Sequence, residues 1–247
     1  MAAAPFSPDR ADTIAGPPTQ PLPARAYQAF LFDMDGTVLD SIAAAERVWG
    51  RWAVRHGLDP ATFVPTIHGA RAVDTIARAA LPGVDPVQEA DAITLAEIED
   101  VHGVVEIAHA GRFLATLPAG RWAIVTSAPR ALALRRLAAA GLSAPPVLVS
   151  ADNVQAGKPD PAGYRMAALR LGVPVEDCLV FEDAAVGIAA GVAAGADVLV
   201  VTATHRPAPA APQGQAPDMG RPSIADDAAI AVSVQDDGRL RLVASAG

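Results

Sequence analysis

Five short apolar runs, the first four each followed by a segment of helical periodicity, constrain this chain more than any other feature. The first lies in YQAFLFDMDGTVLDS (27–41). The others are RWAIVT (121–126), PVLVS (146–150), CLVFED (178–183) and DVLVV (197–201), separated by helical patterns at 130–140, 161–171 and 185–194. Near-continuous apolar strands alternating with amphipathic helices indicate a parallel sheet buried on both faces, because parallel strands need crossover helices to connect them. The expected fold class is therefore α/β, a doubly wound parallel sheet with a Rossmann-like core.

The interval between the first and second runs breaks this rhythm. Ser41 stands where it can cap a helix whose apolar positions Ile42, Val48, Trp49, Trp52 and Ala53 recur at threes and fours, and Gly57 follows as a stop. Helical patterns continue around 70–80 and 86–102, with no strand before residue 105. The spacing predicts an inserted all-helical cap domain over 42–105, with the core formed by 26–41 and 106–247. Residues 1–25 carry Pro17, Pro18, Pro21 and Pro23 and no periodicity, and read as a flexible leader. The Pro/Gly-rich stretch 206–222 reads as a surface loop. Asp236-Asp237-Gly238, between two short apolar runs, reads as a hairpin turn.

With 247 residues, 51% of them hydrophobic, the chain can bury one substantial core and a small second one. Nineteen Lys and Arg against 27 Asp and Glu give a net charge of −8 without a basic run, which opposes binding to nucleic acid or to anionic membranes. The lone Cys178 excludes an internal disulfide and fits a reducing compartment. No apolar segment has the length of a membrane span, so the sequence reads as a soluble, cytoplasmic protein.

Four strand ends carry chemistry. Asp33 and Asp35 follow an apolar strand and share one side of it, with Gly36 next. Two carboxylates that close call for a cation between them or a proton on one. The same residues could also form an ordinary acidic turn. Thr126-Ser127 at the end of WAIV offers a hydroxyl and free N–H groups to an anion, or simply caps the next helix. Lys158 lies in the Gly/Pro-locked loop NVQAGKPDP, and Glu182-Asp183 repeat the strand-end acid pattern of Asp33. Four such signals together outweigh four separate coincidences.

In this order, Asp33-Met34-Asp35-Gly36-Thr37, Thr126-Ser127, Lys158-Pro159 and Glu182-Asp183 with the following AAVGIAAGVAAGA, they resemble the haloacid dehalogenase-like superfamily of phosphohydrolases over about residues 26–201. The segments ERVWGRWAVRHGL, IHGARAVDTI, RWAIVTSAP, ADNVQAGKPDPAGY and VFEDAAVGIAAG are most similar to its sugar- and polyol-phosphate phosphatases, of the hexitol-, 2-deoxyglucose- and glycerol-phosphate type. The resemblance implies a phosphoric monoester hydrolase in which Asp33 attacks phosphorus and Asp35 serves as acid and then base. It implies that Asp33, Asp35 and Asp183, supported by Glu182, hold Mg²⁺. Lys158, Thr126 and Ser127 would bind the phosphoryl group, and His68, Gly69 and Arg71 of the cap the phosphorylated sugar or polyol.

Ala110-Gly111 stands where the family often has Pro-Gly, which questions the rigidity of the return linker. Asp35 disfavours a dehalogenase, whose leaving group needs no proton. Ala45, where the mutases of this subgroup carry His, disfavours a phosphosugar mutase. A non-catalytic phosphosugar-binding regulator is the reading from a different class, and the intact carboxylates argue against it.

Overall fold

The computed structural model describes residues 22–204, 223–224 and 230–244. In chain order its strands and α-helices are β1 (Ala29–Phe32), β2 (Leu39–Asp40), α1 (Ile42–Arg55), α2 (Pro60–Phe63), α3 (Ala72–Ala79), α4 (Pro86–Glu99), β3 (Val105–Glu106), α5 (Ala110–Ala115) and β4 (Trp122–Val125). They continue as α6 (Arg130–Ala139), β5 (Leu148–Val149), α7 (Ala162–Leu171), β6 (Cys178–Glu182), α8 (Ala185–Ala194), β7 (Asp197–Val201), β8 (Ser223–Ile224), β9 (Ile230–Val234) and β10 (Leu240–Ala244).

The main sheet runs β5-β4-β1-β6-β7-β8, and every pairing in it is parallel. Period-two alternation divides its side chains between two cores. Phe30, Phe32, Ile124, Leu179 and Phe181 fill one face, while Ala29, Leu31, Ala123, Val125 and Val180 fill the other. Phe32 stacks on Phe181 at 4.5 Å between ring centroids, joining the two strands whose ends carry the acids. The α/β expectation holds. The strands are shorter than the sequence runs; at the sheet edge the N–H groups of Ser150 and Asp183 turn to the side chains of Asn153 and Glu182.

Helices α1 to α4 bury a core of their own around Val48, Trp49, Trp52, Ile76 and Ile93. Trp52 is 2% exposed, stacks on Phe63 at 5.3 Å and donates Nε1–H to Glu89 Oε2 at 2.8 Å. Helix α1 ends as expected at Gly57, whose φ of +71° lets the Leu58 N–H reach back to the Ala53 carbonyl at 2.9 Å. Its start differs from expectation. The Ser41 hydroxyl donates to Asp35 Oδ1 at 2.5 Å instead of capping, and Asp40 Oδ1 accepts from the Ile42 N–H at 2.9 Å.

The chain leaves and re-enters the core through an antiparallel ribbon that sequence reading missed, in which Leu39 pairs with Glu106 and Asp40 with Val105. Two-residue strands are too short to show a period. This ribbon stands in for the absent Pro before α5. Ile107 N–H donates to the Val38 carbonyl at 3.0 Å, and Glu106 Oε2 accepts from the Gly111 N–H at 3.0 Å, fixing the linker.

Strands β9 and β10 form the expected hairpin, pinned to the start of the core by paired backbone hydrogen bonds between Tyr27 and Leu240. Most of the leader, residues 1–21, and the loop 206–222 lie outside the described residues. Residues 22–25 do not behave as a free leader: Leu22 packs on the core and Arg25 Nη2 meets Asp177 Oδ1 at 2.6 Å. Among the described residues no helix is long and apolar enough to cross a membrane.

Because α1 to α4 close their own core, Trp52→Ala should lower stability by about 3–5 kcal/mol, read as a lower urea midpoint. Hydrogen exchange should rise over α1–α4 while the amides of β1, β4 and β6 stay protected. A uniform rise would mean that the two cores unfold as one.

A candidate active site at the carboxyl edge of the sheet

The strand order β4-β1-β6 puts three ends side by side, and the first residue beyond each is Thr126, Asp33 and Asp183. The carboxyl edge of an open α/β sheet, beside the strand where the order reverses, is where such folds bind ligands. Lys158 enters from the loop between β5 and α7. Its Nζ hydrogen-bonds Asp33 Oδ1, and it meets Glu182 Oε1 at 2.5 Å. Tyr164, in the first turn of α7, donates its hydroxyl to Glu182 Oε1 at 2.9 Å and presents its ring to the ammonium at 5.3 Å.

Glu182 is fully buried, and both of its oxygens are engaged. Oε1 takes Lys158 and Tyr164, and Oε2 takes the N–H groups of Asp183 at 2.9 Å and Ala184 at 3.0 Å. Such an anchor needs a neighbour without a side chain: a Cβ on Gly187 would overlap the carboxylate. A Cβ on Gly36 would likewise overlap Asp183 Oδ2, and the φ of +89° at Gly36 is one that few residues other than Gly adopt.

Carboxylate oxygens of Asp33, Glu182 and Asp183 lie within 4.8 Å of one another, so the cluster could hold a metal ion. Three negative groups face one ammonium. Burial, and then the charge on Glu182, raise the Asp33 pKa well above the usual carboxylate range against the pull of Lys158, and push Asp183 up to about 7. Burial alone would lower the Lys158 pKa, but Asp33 and Glu182 outweigh it and raise it, so the ammonium stays charged. A dication would offset the remaining negative charge.

A cavity of about 550 Å³ opens between this edge and helices α1 and α4. Asp33, Asp35, Thr126, Ser127 and Asp183 line its floor, and Glu46, His68, Gly69, Thr94 and Glu97 line its walls. Ala45 also faces it. His68 Nε2 stands 3.7 Å from Glu46 Oε1. Thr204 contributes a buried hydroxyl oxygen without a hydrogen-bond partner among the described residues.

Asp33, Asp35, Thr126, Ser127, Asp183, His68 and Gly69 thus converge on one cavity, and Lys158 bonds Asp33 from beneath it. Arg71 is placed elsewhere than expected. Its Nε and Nη2 pair with Asp74 at 2.7 and 2.9 Å, while Nη1 donates to the carbonyls of Val154 and Gln155 at 3.3 and 2.9 Å. The guanidinium therefore ties the start of α3 to the Lys158 loop rather than facing the larger cavity. Ser127 Oγ makes a parallel tie to the Gly69 carbonyl at 2.8 Å, and Thr126 Oγ1 accepts from the Ala128 N–H at 3.0 Å. Glu182 serves as an anchor, its oxygens having four donors already.

Sequence reading missed Tyr164 and Arg136. Tyr164 falls six residues after Lys158 on a helix whose face was unknown. Arg136 sits in RALALRRLAA, which resembles a solvated helix, yet its side chain is 7% exposed and reaches both Asp35 and Glu97.

A family model described as haloacid dehalogenase-like hydrolase matches residues 27–195. The chain is 40% identical over 180 residues to hexitol phosphatase A of Escherichia coli strain K12, across 71% of this chain and 83% of that one. It is 32% identical over 200 residues to glycerol-1-phosphate phosphohydrolase 2 of Saccharomyces cerevisiae, across 75% and 78%. The crystal structures of a beta-phosphoglucomutase from Clostridium difficile and of a hydrolase from Pseudomonas syringae share the fold with TM-scores of 0.63 and 0.62, at 19% and 24% identity and over 71% of this chain and 84% of each of those.

Since Arg71 is the tie between α3 and the Lys158 loop, Arg71→Ala should accelerate amide exchange over residues 154–158 and leave β1 and β6 unchanged. Unaltered exchange in that loop would show that the tie has no energetic weight.

Proposed function

The chain belongs to the haloacid dehalogenase-like hydrolases, and we propose that it is a Mg²⁺-dependent phosphatase of small sugar or polyol monophosphates, acting through an aspartyl-phosphate on Asp33. The observation that carries this reading is the convergence of Asp33, Glu182 and Asp183 around a single ammonium beneath a cavity whose walls set Glu46, His68, Thr94 and Glu97 among apolar side chains. The names of the relatives, hexitol phosphatase and glycerol-1-phosphate phosphohydrolase, support the substrate class.

Uncatalysed phosphate monoester hydrolysis is slow enough that enzymes reach enhancements of about 10²¹-fold, so several effects must act together. Asp33 attacks phosphorus in line while the ester bond to the sugar oxygen breaks. Asp35 gives its proton to that oxygen, and then accepts one from the water that cleaves the aspartyl-phosphate. Lys158, Thr126 and Ser127 hold the phosphoryl oxygens, and Glu182 with Tyr164 fixes the ammonium of Lys158. Hard oxygen donors and the excess of two negative charges fit Mg²⁺, which Asp33, Asp183 and the Asp35 carbonyl would hold. When bound, the ion neutralises charge on the transferring phosphoryl group.

Residues 42–105 act as a cap over a core built from 26–41 and 106–247. A chamber of about 550 Å³ suits a hexose-sized leaving group and excludes a protein or nucleic-acid chain. Within this reading His68 and Gly69 contact the sugar, and Arg71 holds the cap to the core. Ala45 in the cavity wall continues to disfavour a mutase. The single buried cysteine fits a cytoplasmic setting.

Asp33→Asn is nearly isosteric but cannot act as this nucleophile. Phosphate release from a hexitol monophosphate should fall by on the order of 10⁴-fold or more, with the circular dichroism spectrum unchanged. Retained turnover would reject covalent catalysis at Asp33. A screen of sugar, polyol and nucleotide monophosphates in EDTA should show no release. Mg²⁺ should restore it and Ca²⁺ should do so poorly, because its larger, looser coordination sphere misplaces the phosphoryl group. Full activity in EDTA would sink the metal assignment.

A further inference from the structure

Arg136 is the one cation among the described residues whose side chain reaches Asp35. It lies on the inner face of α6, buried at the edge of the cavity, with Nη1 at 2.9 Å from Asp35 Oδ1 and Nη2 at 3.0 Å from Glu97 Oε1. Glu97 belongs to α4 and is itself 6% exposed. Taking a guanidinium and a carboxylate out of water is expensive. A buried pair adds little net stability compared with apolar residues of the same size, so its presence in this wall calls for a positional reason.

The hydrogen-bond pattern at Asp35 supplies one. Both described bonds to this carboxylate, from Arg136 Nη1 and from Ser41 Oγ at 2.5 Å, end on Oδ1. Asp35 lines the cavity and remains 28% exposed. The second oxygen, Oδ2, is the one left to carry a proton into the cavity. A planar guanidinium holds its partners at fixed angles, so Glu97 on one nitrogen sets the direction in which the other meets Asp35.

We propose that Arg136, held by Glu97, is a positioning residue that seats Asp35 for proton transfer to the leaving alkoxide and makes this seating depend on α4 being docked against α6. The proposal rests on the phosphatase reading above. As the bond between phosphorus and the sugar oxygen breaks, that oxygen takes the proton from Asp35 Oδ2, and the electron pair of the O–H bond stays on the carboxylate. The charge that develops there meets a guanidinium already in place, so the interaction is stronger in the transition state than in the ground state. Binding of the phosphoryl group, which uses Lys158 and Thr126, is not touched.

The dependence on leaving group distinguishes this role from a structural one. A polyol alkoxide needs the proton, whereas p-nitrophenolate leaves without one. Steady-state kinetics of the full chain with Mg²⁺ on a hexitol monophosphate and on p-nitrophenyl phosphate should be compared for wild type, Arg136→Met, Arg136→Lys, Glu97→Gln and the double variant Arg136→Met/Glu97→Met. For Arg136→Met, kcat on the hexitol ester should fall by about 10²- to 10³-fold, with KM within about 3-fold. The p-nitrophenyl ester should lose less than about 5-fold. Arg136→Lys should recover part of the loss, and Glu97→Gln should show a smaller loss with the same preference.

The double variant leaves no lone buried charge, so it carries the test if Arg136→Met does not fold. Equal losses on both esters, or an unchanged ratio in the folded double variant, would overturn the proposal. A wild-type protein that releases phosphate from neither ester would overturn the phosphatase reading, and the proposal with it.

Discussion

One ammonium shared between two buried carboxylates is the interaction on which this structure turns. Lys158 bridges Asp33 at the end of β1 and Glu182 at the end of β6; Glu182 has no water to fall back on, and Asp33 meets solvent only at the floor of the cavity. Removing the bridge would leave like charges facing each other across adjacent strands. The fold surrounds it with supports that have no other evident purpose: the Tyr164 ring and hydroxyl, the two N–H groups ahead of α8, and the vacant side of Gly187. The stacked rings of Phe32 and Phe181 beneath keep the two strand ends in register.

A second charge system sits beside the first. Asp35, Arg136 and Glu97 run from the core to α4, while the Ser127 to Gly69 and Arg71 to Val154 and Gln155 contacts join the other side of the helical layer to the sheet edge. These polar contacts run beside an apolar seam in which Ala44 of α1 and Ile98 of α4 pack on the main core, while α1 to α4 are held to one another by an apolar core of their own.

Sequence reading was strongest where chemistry and local structure coincide. Asp33, Thr126 and Asp183 each follow an apolar strand, and the end of a strand is visible from the sequence alone. The parallel sheet was legible because its strands are apolar on both faces. What stayed hidden depends on long-range geometry. Arg136 lies in a helix whose arginines look alike on paper, and only the packing of α4 decides which of them is buried. Arg71 follows His68 and Gly69 in sequence, but Asp74 three residues later and two carbonyls from a distant loop turn its guanidinium away from the larger cavity. Ser41 occupies an N-cap position, yet Asp35 outcompetes the helix for its hydroxyl. The β2–β3 ribbon is too short for any periodic signal.

The mutual hydrogen bonds between Tyr27 and Leu240 join positions more than two hundred residues apart. Closing so long a loop has an entropic cost that grows only logarithmically with length, so it weighs little on final stability. Its weight falls on timing. During synthesis from the N-terminus, β1, which leads to Asp33, is made first, and the hairpin that clasps the residue leading into it emerges only after all the strands of the main sheet. Until then the Tyr27 backbone lacks its partner and the main core lacks Leu240 and Leu242, and apolar surface left uncovered is where a nascent chain is open to wrong contacts.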